Sequence, residues 1–326
     1  MSTDPTLIDE TGPAPARAPM IDLTKAHGAA RAYLVHCDRD GTGELSAASV
    51  RAVTDPVRGI GATGIIRLVL SSVLGKSGPA WFVSAVSPSG GPAVVSTGVL
   101  RVAAAYLHTS GEVSAGEGDT IALLSDAGRH YVTYRDGQYG ITVGAWRGLG
   151  GTKTLDEGFN ATVAVSGLDE PRPGLQLDVG ATHTIVALES ADELAGLDLS
   201  APTRVEPATD GTGSLAFVVP LGERDVEVIG AGGAVTGSER IGAAQVRLAT
   251  ADGAELLGDD YAAAAATVAV RHWLGAEAAA EWVVLTPGGS QRVIVHPSRS
   301  VEVAEEIVFP ATIAWKAQPA QPVQQA

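Results

Sequence analysis

Residues 258–275 read GDDYAAAAATVAVRHWLG, two adjacent aspartates and a tyrosine ahead of a run made almost wholly of small apolar residues. Asp is a favoured helix N-cap, because its carboxylate accepts the unpaired amides of the first turn and sits at the positive end of the helix dipole. The pair therefore predicts a helix start. A cap explains one aspartate and leaves the other as a candidate functional group. From Tyr261 to Leu274 the expected helix is apolar on nearly every face, so it must be buried on all sides. TGVLRVAAAYLH, residues 97–108 behind Ser96, has the same character. Around these two lie short runs rich in Val and Ile and bounded by turn formers, among them RAYLVHC, IIRLVL, AWFVSAV, TIALL, HYVTY, THTIVALE, LAFVVP, AQVRLAT, EWVVLT and RVIVH, which read as strands. A doubly wound sheet needs a helix after almost every strand. Two long helices among many strands predict instead an α+β fold of two halves, each a curved sheet wrapped around one central helix.

Composition narrows the function. The 326 residues are 45% hydrophobic, enough for a sizeable core and two domains. Lys and Arg number 22 against 37 Asp and Glu, a formal charge of -15, which steers neither toward phosphate backbones nor toward anionic lipid. Nucleic acid and membrane are thus excluded as expected partners, and an aromatic content of 5% adds to the case against base stacking. Cys37 is the sole cysteine, so no disulfide framework or thiolate zinc site is expected. The seven histidines show no HxH or HxxxH spacing, and no metal is expected. MSTDPTLIDETGPAPARAPM lacks the basic start and apolar core of a signal peptide, so a cytoplasmic address is expected. Residues 1–20 and the tail 317–326 read as disordered extensions.

Several motifs tempt and fail. GIGATG, residues 59–64, is a literal GxGxxG, but VTDPVR precedes it and the β-rich IIRLVL follows, the reverse of a dinucleotide site. Tight-turn glycines are the better reading. GLGGTKT at Gly148 lacks the Gly-Lys of a phosphate-cradling loop, and there is no GxSxG elbow.

Read in order, the chain resembles the diaminopimelate epimerases. AWFVSAVSPSGGPAVVSTGVLRVAAAYL (80–107) is similar to the segment carrying that family's first catalytic cysteine, with Ser96 in its place. GAELLGDDYAAAAATVAVRHWLG (253–275) is similar to the second signature, with Asp260, or Asp259 if the turn is one residue longer, at the second cysteine. KAHGAARAYLV, RGIGATG, DVGATHTIVALES, GTGSLAFV and VFPATIAW resemble further pieces of the family in the same order, over roughly residues 25–316. The resemblance implies two pseudo-symmetric domains: 21–135, completed by a closing strand 308–316, and 136–307. It also implies an active site where the two helix N-termini point at each other, with no cofactor.

Loss of both cysteines changes the chemistry that the resemblance implies. A helix N-terminus can bring a thiol toward neutrality, but a serine hydroxyl is far too weak an acid for that, so Ser96 is expected to donate or relay a hydrogen bond. Asp259 or Asp260 can accept a proton, provided that burial raises its pKa against the helix dipole. One acid/base carboxylate predicts isomerisation, elimination or ring closure rather than two-base racemisation, in the manner of the phenazine-biosynthesis isomerases that share the implied fold. Where the family places asparagines that hold the amino acid, this chain has Arg31, Ser87, Ala181 and Ser214, and Ala251 and Asp252 replace a Glu-Arg pair. Diaminopimelate is then a poor substrate. Arg31, Ser87 and Ser214, with Thr97 and Gly98 at one helix mouth, His27 and His183 at retained family positions, and Tyr261 beside the aspartates, are the candidate substrate-binding residues. The expected partner is a small organic molecule, with a homodimer left open. The expected activity is a cofactor-independent isomerase or cyclase, of specialised metabolism if the Ala- and Arg-rich composition reflects a GC-rich bacterial genome. The alternatives are a cleft that templates cyclisation without acid/base groups and a non-catalytic binding protein.

Overall fold

The computed structural model describes residues 20–28, 30–208, 213–229 and 234–316. Among them are twenty strands and five helices: α1 (Ala47–Thr54), α2 (Thr97–Thr109), α3 (Thr152–Glu157), α4 (Ala191–Ala195) and α5 (Asp260–Leu274). The strands join in one mixed sheet system with both parallel and antiparallel pairings, an α+β fold.

The two long helices start where the caps predict. Ser96 Oγ accepts from the Val99 amide at the head of α2, and Asp259 Oδ1 accepts from the Ala262 amide at the head of α5. Each helix is the centre of its own hydrophobic core. Val102, Ala103 and Leu107 of α2 pack with Val35, Ile66, Val83 and Leu123 from surrounding strands. Ala262 to Ala266 of α5, all essentially solvent-free, pack with Leu177, Val218, Val246, Trp282 and Val303.

Strand Gln138–Ala145 links the two cores. Tyr139 and Ile141 lie in the α2 core and Val143 in the α5 core, and the strand pairs with Gly128–Arg135 on one side and Ser300–Glu305 on the other. Val308–Lys316 returns to pair antiparallel with Met20–Gly28, Trp315 opposite Ile21. Met20 itself pairs with Lys316, whereas the rest of the extension expected over 1–20, and the tail 317–326, lie outside the described residues.

Period-two alternation carries a second layer. In Leu215–Ile229, Ala216 and Val218 face α5 while Leu215, Phe217 and Val219 join a third cluster with Leu194 of α4. In Arg31–Cys37, Tyr33 and Val35 face α2 while Leu34 meets Val50 and Val53 of α1. GIGATG follows helix α1 and precedes strand Ile65–Leu70, with Gly61 at φ +76°, so the tight-turn reading holds. Among the described residues no helix is long and apolar enough to cross a membrane.

Candidate functional site

The N-termini of α2 and α5 meet. The hydroxyl of Thr97, the first residue of α2, donates to Asp260 Oδ2, on the first residue of α5. Arg101, one turn into α2 and wholly buried, reaches the same carboxylate through Nη1 to Oδ2 at 2.9 Å and Nη2 to Oδ1 at 2.8 Å. Its Nη2 and Nε also donate to Glu305 Oε1, at 2.7 and 3.1 Å. Gln291 Nε2 donates to Asp260 Oδ1 at 2.7 Å.

Asp260 is thereby corrected as a candidate base. Burial pushes its carboxyl up, as the sequence predicts, but the charge of Arg101 and hydrogen bonds from Arg101, Thr97 and Gln291 outweigh it and hold the group below the usual aspartate range. Burial likewise opposes the charge on Arg101, yet Asp260 and Glu305 hold that guanidinium more firmly protonated than usual. The cluster is a buried ion network in which Arg101 is shared between Asp260 and Glu305.

Asp259 differs. It is half-buried, and its Oδ2 makes no hydrogen bond among the described residues. It lines a cavity of about 410 Å³ together with His183, Ser214, Thr250, Tyr261 and the turn Gly180–Ala181. Burial first, then the charges of Asp260 and Asp259, push the Tyr261 phenol up. The Tyr261 ring closes on Gly180, which sits at φ +76° and whose missing Cβ would fall 2.9 Å from Tyr261 Cε1. His183 is 3% exposed, and burial lowers its pKa against the opposing pull of Asp259, the Val179 main chain and Asp178.

The other candidates scatter. Ser96 lines a separate cavity of about 220 Å³ with Arg31, Tyr33 and Val94, which shares no lining residue with that of Asp259. Arg31 also borders a groove of about 510 Å³ with His27, Gln138, Glu305 and Glu306. Gly98 is buried within α2. Ser87 lines none of these three cavities; its hydroxyl bonds Ser89 Oγ at 2.8 Å and the Gly91 carbonyl at 3.1 Å inside its own turn. The sequence reading passed over Arg101, Gln291 and Glu305. Of these only Arg101 carried a signal, a single charge inside an otherwise apolar helix predicted to be buried on all faces.

No family model matches the chain. It is 30% identical to the diaminopimelate epimerase of Thermobifida fusca over 288 residues, 84% of this chain and 90% of that protein. It is also 30% identical to the diaminopimelate epimerase of Mycobacterium avium over 201 residues, 57% of this chain and 66% of that one. Among solved structures, a PhzF-family phenazine biosynthesis protein from Bacillus anthracis superposes with a TM-score of 0.59 at 12% identity, covering 91% of this chain and 99% of its own. A predicted epimerase from Pseudomonas aeruginosa superposes with a TM-score of 0.53 at 14% identity over 90% and 99%. A methylitaconate-delta-isomerase does so with a TM-score of 0.53 at 11% identity over 95% and 100%. With the order of its segments, its paired helix mouths and nine-tenths of the Thermobifida fusca protein spanned at 30% identity, this chain belongs to the diaminopimelate epimerase family.

Proposed function

We propose that the chain is a cofactor-independent isomerase or cyclase that moves one proton on a small organic molecule by way of Asp259, and that diaminopimelate is not its substrate. The relatives and neighbours are named as epimerases and isomerases, which supports an isomerase acting on a small molecule. The observation that carries the finer reading is the contrast between the two aspartates: Asp260 is occupied by Arg101, Thr97 and Gln291, while Asp259 offers an unoccupied oxygen to a cavity. Ser96 and Asp259 cap their helices in the same way, which supports Asp259 rather than Asp260 as the counterpart of Ser96 at the seat that the resemblance gives the second cysteine. With Ser96 in a different cavity, Asp259 is the one carboxylate lining its own cavity, which supports proton transfer on a single face of the substrate.

Replacing Asp259 by Asn should abolish turnover of a substrate found by screening small carbonyl and unsaturated acids, and solvent deuterium should enter one face only. Equal deuterium incorporation from both faces, or full activity in Asp259→Asn, would sink the reading. The direct contact of Thr97 with Asp260 across the helix mouths favours a second reading, a non-catalytic binding protein. A compound that raises the melting temperature of the wild type but is never turned over would support it.

A further inference from the structure

We propose that the cavity at the head of α5 takes an enolisable carbonyl compound, with Asp259 as the carbon base and the Nε2–H of His183 as the donor to the carbonyl oxygen. This rests on the reading that Asp259 moves the proton.

The tautomer of His183 follows from Ser214. The Ser214 main-chain amide, which can only donate, lies 3.4 Å from His183 Nδ1, and the Ser214 hydroxyl lies 3.0 Å from the same nitrogen. Nδ1 is therefore the unprotonated nitrogen, and the ring hydrogen sits on Nε2. Nε2 is buried and has no hydrogen-bond partner, in a side chain 3% exposed that lines the same cavity as Asp259. Leaving a donor buried and unmatched is destabilising. An acceptor on a bound molecule removes that penalty, and it does so most when the acceptor gains charge during reaction.

Burial keeps the ring neutral against the groups around it. Asp259 and Asp178 are the carboxylates that act on it, the Val179 main chain adds to their pull, and burial outweighs all three. A neutral imidazole donor beside a carboxylate base suits enolisation. The carboxylate takes the proton from the carbon next to the carbonyl. The C–H electron pair becomes a C=C bond, and the carbonyl π pair moves onto oxygen, where Nε2–H meets the charge. The proton then returns from Asp259 to carbon, and no oxidant or cofactor enters the balance. The amides of Asp260 and Tyr261, in the first turn of α5 where no helical acceptor exists, add donors at the same mouth. An allylic transfer on a plain alkene would place no charge on oxygen and leave Nε2–H unmatched.

Two measurements on the full chain test this. Histidine 15N spectra, with His183 assigned by loss of its signal in His183→Gln, should show a neutral Nε2–H ring at pH 7 and above. A cationic ring or the Nδ1–H tautomer overturns the proposal. In heavy water, the protein should speed exchange at the carbon next to the carbonyl of 2-oxobutanoate or cyclohexanone and leave the allylic carbon of 4-pentenoate, which is not next to a carbonyl, untouched. His183→Ala should slow this about 10²–10³-fold, His183→Gln, which keeps a donor, should recover most of it, and Asp259→Asn should abolish it. Exchange at the allylic carbon of 4-pentenoate alone, dependent on Asp259 but not on His183, overturns the carbonyl inference while the proton-transfer reading stands. No exchange of any probe overturns both.

Discussion

Asp260 accepts hydrogen bonds from Thr97, Arg101 and Gln291, while its neighbour Asp259 accepts one, from the amide of Ala262. Removing the Asp260 charge leaves Arg101 buried with only Glu305 to balance it, so Asp260→Asn should lose about 3 kcal/mol or more in urea unfolding. Asp259→Asn keeps a good cap and should cost less than about 1 kcal/mol. Equal losses in the two variants would mean that the network contributes nothing special. The pH dependence follows from the same groups. Asp260 has a folded pKa below its unfolded value of about 3.9, so its contribution is complete above that pH and is lost as pH falls through the folded value. His183 is also depressed, so below its unfolded value of about 6.5 the unfolded chain takes up a proton that the folded chain refuses. Stability should therefore begin to fall below about pH 6.5. His130, lowered by burial, adds in the same sense, so the comparison that isolates His183 is wild type against His183→Gln between pH 7 and 5. Parallel stability curves for the two would remove His183 from the account.

At the scale of the element, α5 is short of side-chain volume for a reason. Ala262 to Ala266 are at most 1% exposed, and strands approach the helix from the sheet that wraps it. Larger residues would push that sheet away, so Ala264→Leu should destabilise by about 1–3 kcal/mol, read as a lower urea midpoint with unchanged slope. A neutral or stabilising result would mean that the core around α5 is loose. The paired strands Leu215–Ile229 and Val235–Ala249 show the opposite case. LAFVVP and AQVRLAT are legible because they are packed, whereas the outer part of this ribbon, with Glu223, Arg224, Asp225 and Glu239 all exposed, alternates only briefly at Val226 and Val228 and escapes a sequence reading. The same holds for α1, too short and too mixed to stand out as AASVRAVT.

Across the whole molecule, Arg101 reaches from the helix at the centre of one core to the first residue of the helix at the centre of the other, and Glu305 and Gln291 add strands 300–305 and 289–295 to the same point. Arg101→Met removes the buried cation shared by two buried carboxylates and should be strongly destabilising, and adding Asp260→Leu should recover part of the loss. The double variant should fall short of the summed single losses by about 1–3 kcal/mol. Strict additivity would show that the carboxylate and guanidinium do not act together.

The sequence by itself determined the α+β class, the two buried helices, a cap at Ser96 and at one of the two adjacent aspartates, and most of the packed strands. These depend on local periodicity, capping chemistry and burial of small apolar faces, which a chain carries along its length. Only the tertiary structure decided which aspartate is available, that Ser87 turns into its own loop, and that His183, Ser214, Asp259 and Tyr261 share a cavity apart from that of Ser96. The reason is distance along the chain. Arg101 lies 159 residues from Asp260, and Gln291 lies 31 away on the strand Gly289–Val295. A carboxylate's pKa is set by the charges and donors that folding brings to it, and no local pattern announces them.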